Sequence, residues 1–321
     1  MGNFVVSLDF ELIWGVIDLP MLEGYKGNVR GVQQAIPRLL ELTDRYGIKL
    51  TFGVVGFLLF KNRKELEPYL PELRPSYLKP NISPYTYMKN TDVDNECHFA
   101  PDLVAMIKQH PQHELATHTF CHYYCMEAGQ TIEEFEADLK CALKIAQEKG
   151  IDLKSLIFPR NQCKAEYLKI CKGLGFTSYR GNEKNMLHSE NYENVPEILK
   201  RMLRLIDTYL PITGSNSNTV EEMESDVIAN IRASRFFRPY SNTLRIIEPL
   251  KMRRILKEMT KAAKKGNTYH LWWHPHNVGI NQEENFAQIE SIFRHYKRLN
   301  EEYGFESKTM NELANELKGN G

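Results

Sequence analysis

Short apolar runs alternate with segments whose apolar residues recur at helical spacing almost from one end of the chain to the other. Strands that alternate with helices become parallel neighbours, because each crossover helix returns the chain to the sheet in the same direction. Phe4-Val5-Val6-Ser7-Leu8 reads as a buried first strand. A helix follows through Ile36, Leu39, Leu40 and Leu42, stopped by Tyr46-Gly47, and Ile48 to Val55 reads as the second strand. Strands are expected again at Glu114–Thr117, Leu153–Phe158, Phe176–Arg180 and Thr268–Trp273. Helices are expected between them, one of them opened by a Thr131/Glu134 capping box. The pattern predicts an α/β fold, either a barrel or a doubly wound sheet.

Two stretches break the rhythm. Residues 61–100 carry Pro68, Pro71, Pro75, Pro80 and Pro84, too many for regular structure, and residues 207–245 include Thr213-Gly214-Ser215-Asn216-Ser217-Asn218. Aromatic residues run through both, so they are expected to be ordered loop insertions over one end of a single domain spanning 1–321, where sites usually sit.

Charge argues against one class of function, without excluding a local basic groove. Lys+Arg and Asp+Glu are 41 each, so the broad electrostatic pull of a nucleic-acid-binding protein is missing. The first residues lack the basic segment and unbroken apolar run of a secretory signal, since Asp9 and Glu11 interrupt it. No run approaches the roughly 20 apolar residues of a membrane span. Six cysteines without C-x-x-C spacing read as reduced thiols, and the expectation is a cytoplasmic protein.

Four clusters, each directly after an expected strand, can carry chemistry. Asp9 and Glu11 lie two apart, so in extended backbone both carboxylates point into one space. His118 and His122 are four apart, and a helical turn there would bring both imidazoles to one metal ion. Cys121 and Cys125 extend that stripe, but its span of about 10 Å exceeds the ~4 Å spacing of ligands around one zinc, which argues against a four-ligand site. Arg160, in Phe158-Pro159-Arg160-Asn161-Gln162, can orient a carboxylate, and His274 and His276 end the strand that starts at Thr268. In a parallel α/β fold the carboxyl ends of the strands share one face. Together the clusters describe a mononuclear metal site with a carboxylate base and a histidine acid, equipment for hydrolysing an amide or ester.

Val6-Ser7-Leu8-Asp9-Phe10-Glu11, Tyr46-Gly47-Ile48-Lys49-Leu50-Thr51-Phe52-Gly53-Val54-Val55-Gly56 and His113-Glu114-Leu115-Ala116-Thr117-His118-Thr119-Phe120-Cys121-His122 resemble the polysaccharide deacetylases with a NodB homology domain, carbohydrate esterase family 4. The resemblance implies a distorted (β/α)7 barrel and a divalent metal ion, commonly zinc, used to remove acetyl groups from sugars. By position, Asp9 matches the general base, Glu11, His118 and His122 the metal ligands, Arg160 the arginine that tethers the base, and His274 the general acid. The family's first motif has adjacent aspartates, whereas Phe10 intervenes here, so Asp9 and Glu11 could exchange roles. Pro159-Arg160-Asn161-Gln162 lacks the tyrosine whose backbone N–H helps hold the oxyanion, and Asn161 or Gln162 is a candidate to replace it.

With no expected leader or membrane span, the resemblance implies an acylated amino-sugar substrate, nucleotide-linked, lipid-linked or an oligosaccharide, on the route to a surface polysaccharide. Tyr85, Tyr87, Arg238, Tyr240 and Asn242 of the insertions are candidates to stack on or hydrogen-bond sugar rings. A metal-independent amidohydrolase acting on a non-sugar amide, or an inactive carbohydrate-binding barrel, would use the same framework.

Overall fold

The structure, a computed structural model, describes residues 1–185 and 196–319. Among these residues nine strands form one sheet: β1 (Asn3–Phe10), β2 (Thr51–Val54), β3 (Glu114–Thr117), β4 (Ser155–Ile157), β5 (Ser178–Arg180), β6 (Ala229–Asn230), β7 (Arg235–Phe236), β8 (Thr268–Trp273) and β9 (Glu306–Lys308). Their order is β6-β5-β4-β3-β2-β1-β8-β7, with β9 added against β1, and every strand pairing is parallel. The two edges are β6 and β7, yet only four residues join Asn230 to Arg235. At 3.3–3.6 Å per residue that chain spans at most about 18 Å, so the sheet must curl until its edges nearly meet. The architecture is the distorted (β/α)7 barrel, open between β6 and β7.

The two faces of β1 explain the layers. Phe4, Val6, Leu8 and Phe10 point outward and join the main core with Ile36, Leu39 and Leu40 of the helix Val32–Tyr46 and with Ile289 and Phe293 of the helix Gln282–Tyr303. Val5, Ser7 and Asp9 alternate inward, as strand geometry requires. Their neighbours in register are small or polar: Thr51 lies beside Ser7, Gly53 beside Asp9 and His270 beside Val5. A Cβ on Gly53 would come 2.8 Å from Ile157 Cδ1, so the interior is filled. The helix Met310–Gly319 plugs the amino ends of the strands, where Met310, Leu313, Ala314 and Leu317 pack on Val5 and Ile157. The carboxyl ends remain the open mouth.

The helix Val32–Tyr46 ends at Gly47, whose φ of 66° is left-handed, and Thr131 and Glu134 form the expected reciprocal cap on the helix Ile132–Glu148. Residues 207–245, expected to be an irregular insertion, instead supply both edge strands, preceded by the helix Glu197–Tyr209. Strands two residues long cannot show a two-residue period. In residues 61–100 Pro71 and Pro75 lie in irregular chain, while Pro68, Pro80 and Pro84 sit in the first turns of short helices: Pro84 opens the helix Pro84–Asn90, with Ser83 Oγ accepting from the Thr86 N–H.

Candidate active site

Each functional side chain stands at the carboxyl end of a strand or in the loop just beyond it. Asp9 is the second-last residue of β1 and Glu11 follows it; they are 3% and 4% exposed. His118 and His122 come from the loop after β3, and His274 and His276 from the turn after β8. Glu11 Oε2 lies 2.9 Å from His122 Nε2 and 3.1 Å from His118 Nε2. His274 Nε2 approaches the other side, 3.5 Å from Glu11 Oε1 and 3.7 Å from Asp9 Oδ2. The structure thus brings Asp9, Glu11, His118, His122 and His274 to one point.

No helical turn holds His118 and His122. Thr119 and His122 adopt left-handed φ values of 65° and 64°, and this irregular loop, not an i,i+4 stripe, sets the rings with centroids 4.9 Å apart. Such conformations cost about 1–3 kcal/mol each and persist only where the surroundings fix them. Here Asp138 fixes them, its carboxylate accepting from the backbone N–H groups of Phe120 and Cys121 at 2.7 and 3.1 Å. Cys121 and Cys125 are buried in the main core, away from any ligand role.

The donor set suits a divalent cation. Glu11, His118 and His122 offer three ligand atoms within 4.8 Å of one another. The Ile157 carbonyl, 2.8 Å from His118 Nδ1, accepts its proton and leaves the Nε2 lone pair facing Glu11 Oε2. An acceptor facing an acceptor is repulsive unless a proton or cation lies between them. Two imidazole nitrogens and a carboxylate are the set that divalent zinc takes in catalytic sites, with room left for water. Burial raises the Glu11 pKa, but the imidazoles around it, the charges of His274 and His122 foremost, outweigh it and hold the carboxyl well below the usual range. Gly15 makes room for that carboxylate, since a Cβ there would lie 1.9 Å from Glu11 Oε1. Among the described residues Asp44, His110 and His113 form another trio. His113, however, accepts the Leu50 N–H at Nδ1 and bonds Thr43 Oγ1 through Nε2, so neither nitrogen is left to ligate.

The arginine on Asp9 is not Arg160. Arg180, the last residue of β5, reaches both Asp9 oxygens at 2.5 and 2.7 Å. It also donates to Ser7 Oγ at 3.1 Å and Asn161 Oδ1 at 2.8 Å, and stacks over the Trp272 ring. Behind it, His270 bonds Ser7 Oγ through Nε2 and the Ile231 carbonyl through Nδ1. Burial raises the Asp9 pKa, yet the Arg180 charge and hydrogen bonds, with His118 and His274, bring it below its ordinary value. Arg160 follows β4 in a left-handed turn, φ 54°, which turns it outward to Asp18 at 2.6 Å and over the Tyr124 ring. The inward alternation of Ser178 and Arg180 along β5 was the signal that distinguishes the two arginines.

Among the expected substrate contacts, Asn161 and Arg238 line a cleft of about 230 Å³ beside His274, together with Phe236 and Trp272. Gln162 turns away, accepting from the Met126 N–H and donating to Glu127. The backbone N–H groups of Asn161 and Gln162 are used by the carbonyls of Phe158 and Pro159, so neither is a backbone oxyanion donor. The Tyr240 N–H is held by Asn285 and Asn242 bonds Asn281. Tyr85 and Tyr87 pack inside, against Phe57 and against Trp14 and His98. His276 is buried with Nε2 3.9 Å from Glu11 Oε1, its ring stacked on His274, and burial pushes its pKa down to about 3.

No family model and no curated protein matches the chain. Solved structures do share its fold. A Mycobacterium smegmatis protein described as a polysaccharide deacetylase superposes with a TM-score of 0.63 at 13% identity, over 99% of this chain and 91% of that one. The allantoinase PuuE gives 0.55 at 11% identity, over 99% and 90%. A Pseudomonas aeruginosa PAO1 protein also described as a polysaccharide deacetylase gives 0.53 at 9%, over 98% and 89%.

Proposed function

We propose that the protein is a metal-dependent hydrolase that removes an N-acetyl or other acyl group from an amino sugar, acting on a cytoplasmic precursor of a surface polysaccharide. The observation that carries this reading is the convergence of His118 Nε2 and His122 Nε2 on Glu11 Oε2 at 3.1 and 2.9 Å, with Asp9 and His274 flanking it. Glu11, His118 and His122 would hold the ion, for which zinc is the best fit to an N, N, O donor set. When bound, it polarises the acyl carbonyl and acidifies water toward a pKa of about 7.

Asp9, kept ionised by Arg180, takes the proton of the attacking water. The buried pair holds that carboxylate in one orientation, so its lone pairs face the reacting space. His274 gives a proton to the departing amine. The Asn277 side-chain oxygen, 3.0 Å from His274 Nδ1, accepts that nitrogen's proton and leaves Nε2 toward the centre. Asn161, its oxygen held by Arg180, has its Nδ2 available to the developing oxyanion. Six unpaired cysteines support a reducing compartment, and no described helix is long and apolar enough to cross a membrane.

Metal-loaded protein incubated with N-acetylated oligosaccharides and nucleotide sugars is expected to release acetate. Activity that survives both His118→Ala and His122→Ala sinks the metal mechanism. The likeness to an allantoinase favours a second reading, hydrolysis of a non-sugar amide. Protein that purifies without a stoichiometric divalent ion, yet cleaves such amides, would support it.

A further inference from the structure

The cleft beside His274 holds a cation that the hydrolytic machinery does not use. Arg238 stands two residues beyond β7, half-buried in the cleft wall with Trp272 and Phe236. Among the described residues its one side-chain hydrogen bond is a long one, from Nε to Thr208 Oγ1 at 3.4 Å, and none of their carboxylates lies within ion-pair distance. Arg204 also lines the cleft, and the charges of Asp207, Arg235, Lys251 and Glu183 are engaged elsewhere. Asp207 accepts from the Ile212 and Thr213 N–H groups and pairs with Arg235 and Arg254. Arg235 is held bidentately by Glu258, at 2.7 and 2.9 Å. Lys251 pairs with Glu248 at 2.5 Å. Glu183 accepts from Phe236 N–H and Asn216, and burial pushes its pKa up to about 7.

A half-buried guanidinium whose terminal N–H groups no described side chain holds is worth little to the fold and much to a ligand that brings an oxyanion. The cleft, at about 230 Å³, lies below the range of about 300–1,000 Å³ typical of drug-sized ligands, so it suits one substituted sugar ring rather than a polymer. The part-exposed Trp272 ring in the same cleft wall offers an apolar surface on which a sugar ring can rest.

We infer that this cleft is an oxyanion subsite: the acylated sugar carries a phosphate or carboxylate, and Arg238 binds it while the acyl group sits at Glu11, His118 and His122. The inference rests on the proposed deacetylase reading. Its test is binding, measured by titration calorimetry on the metal-loaded protein with N-acetylglucosamine 1-phosphate, glucuronyl-N-acetylglucosamine and neutral N-acetylglucosamine. At least one anionic sugar is expected to bind about tenfold or more tighter than the neutral one, and which one does so identifies the phosphate or carboxylate source. Arg238→Gln should bring that preference to within about twofold, and Arg238→Lys should keep part of it. Equal binding of charged and neutral sugars, or no binding of any anionic sugar, overturns the subsite. A preference that survives Arg238→Gln belongs to another cation, the metal centre or Arg204 of the same cleft wall, and also overturns the assignment to Arg238. Acyl release from neutral sugars without an anion preference would leave the deacetylase and remove the subsite. An Arg238-dependent preference without acyl release would do the reverse.

Discussion

Arg180 holds both carboxylate oxygens of Asp9, at 2.5 and 2.7 Å, across a curled sheet in which three strands separate β5 from β1. Both side chains are almost wholly removed from water. Replacing one member of such a pair leaves an uncompensated buried charge, at a cost of about 3–5 kcal/mol. Arg180→Met is therefore expected to lower the urea midpoint strongly and abolish activity. Asp9→Asn combined with Arg180→Met should recover much of the stability and none of the turnover. A double variant no more stable than Arg180→Met would show that the arginine acts by packing on Trp272 alone.

Tyr124 stands behind a metal ligand. Its hydroxyl is 3.2 Å from His122 Nδ1, so it accepts that proton and fixes the ring with Nε2 toward Glu11. Partners of this kind tune metal affinity by about 10–100-fold. Tyr124→Phe keeps the ring and its packing, and is expected to raise the dissociation constant for zinc by that factor with little change in the unfolding curve. Competition with a chromophoric chelator measures it. An unchanged affinity would mean that the loop backbone alone orients His122.

His274 is 22% exposed on its side chain and makes one hydrogen bond among the described residues, to Asn277, so its removal should spare the fold. General acid–base catalysis contributes about 10²–10⁴-fold, and His274→Ala should lose that much of kcat with metal content unchanged. The loss should shrink for substrates with activated leaving groups, which need no proton. Equal losses on poor and good leaving groups would remove the general-acid role.

The outer layer of this fold is legible in the sequence because each helix and central strand carries its own period: Glu114–Thr117 and Thr268–Trp273 are strands at the expected residues. The curled edges are not, because β6 and β7 are held by pairing to β5 and β8 rather than by local pattern. The same distinction runs through the site. Asp9, Glu11, His118, His122 and His274 are close to strand ends, which sequence position can locate. Arg180 ends β5 and takes its inward direction from the strand's alternation, whereas Arg160 lies beyond β4, and its outward direction depends on a left-handed turn that no propensity announces. Asp138, sixteen residues beyond His122 in a helix, acts through backbone N–H groups and leaves no motif.

A titration remote from the site gives a clean pH test. His113 accepts the Leu50 N–H, and burial, helped by the charge of His110, pushes its pKa down to about 4. The unfolded imidazole, near 6.5, then binds its proton first as pH falls. Stability is fully present above about pH 6.5 and is lost progressively toward pH 4, by up to roughly 3 kcal/mol before screening at this part-exposed position. Burial also holds His270 and His276 near about 3, so wild type and variant share a residual slope. His113→Gln should start less stable at pH 7 and lose less on acidification. Parallel curves of urea midpoint against pH would contradict the assignment.

Gly15 supplies a prediction that needs no change to any ligand. Glu11 folds back over the turn Leu12–Gly15, and a methyl group on Gly15 would overlap its carboxylate at 1.9 Å from Oε1 and 2.6 Å from Oε2. Gly15 and Val16 are part-exposed, so the turn itself can survive the substitution, whereas the buried carboxylate has His118, His122 and His274 on its other sides. Gly15→Ala should therefore move Glu11 off the histidines, and zinc occupancy should fall with at most a modest loss of stability, about 1–3 kcal/mol for overpacking. Elemental analysis beside thermal unfolding separates the two effects. Full occupancy in Gly15→Ala would place the carboxylate ligand elsewhere, with Asp9 the remaining candidate.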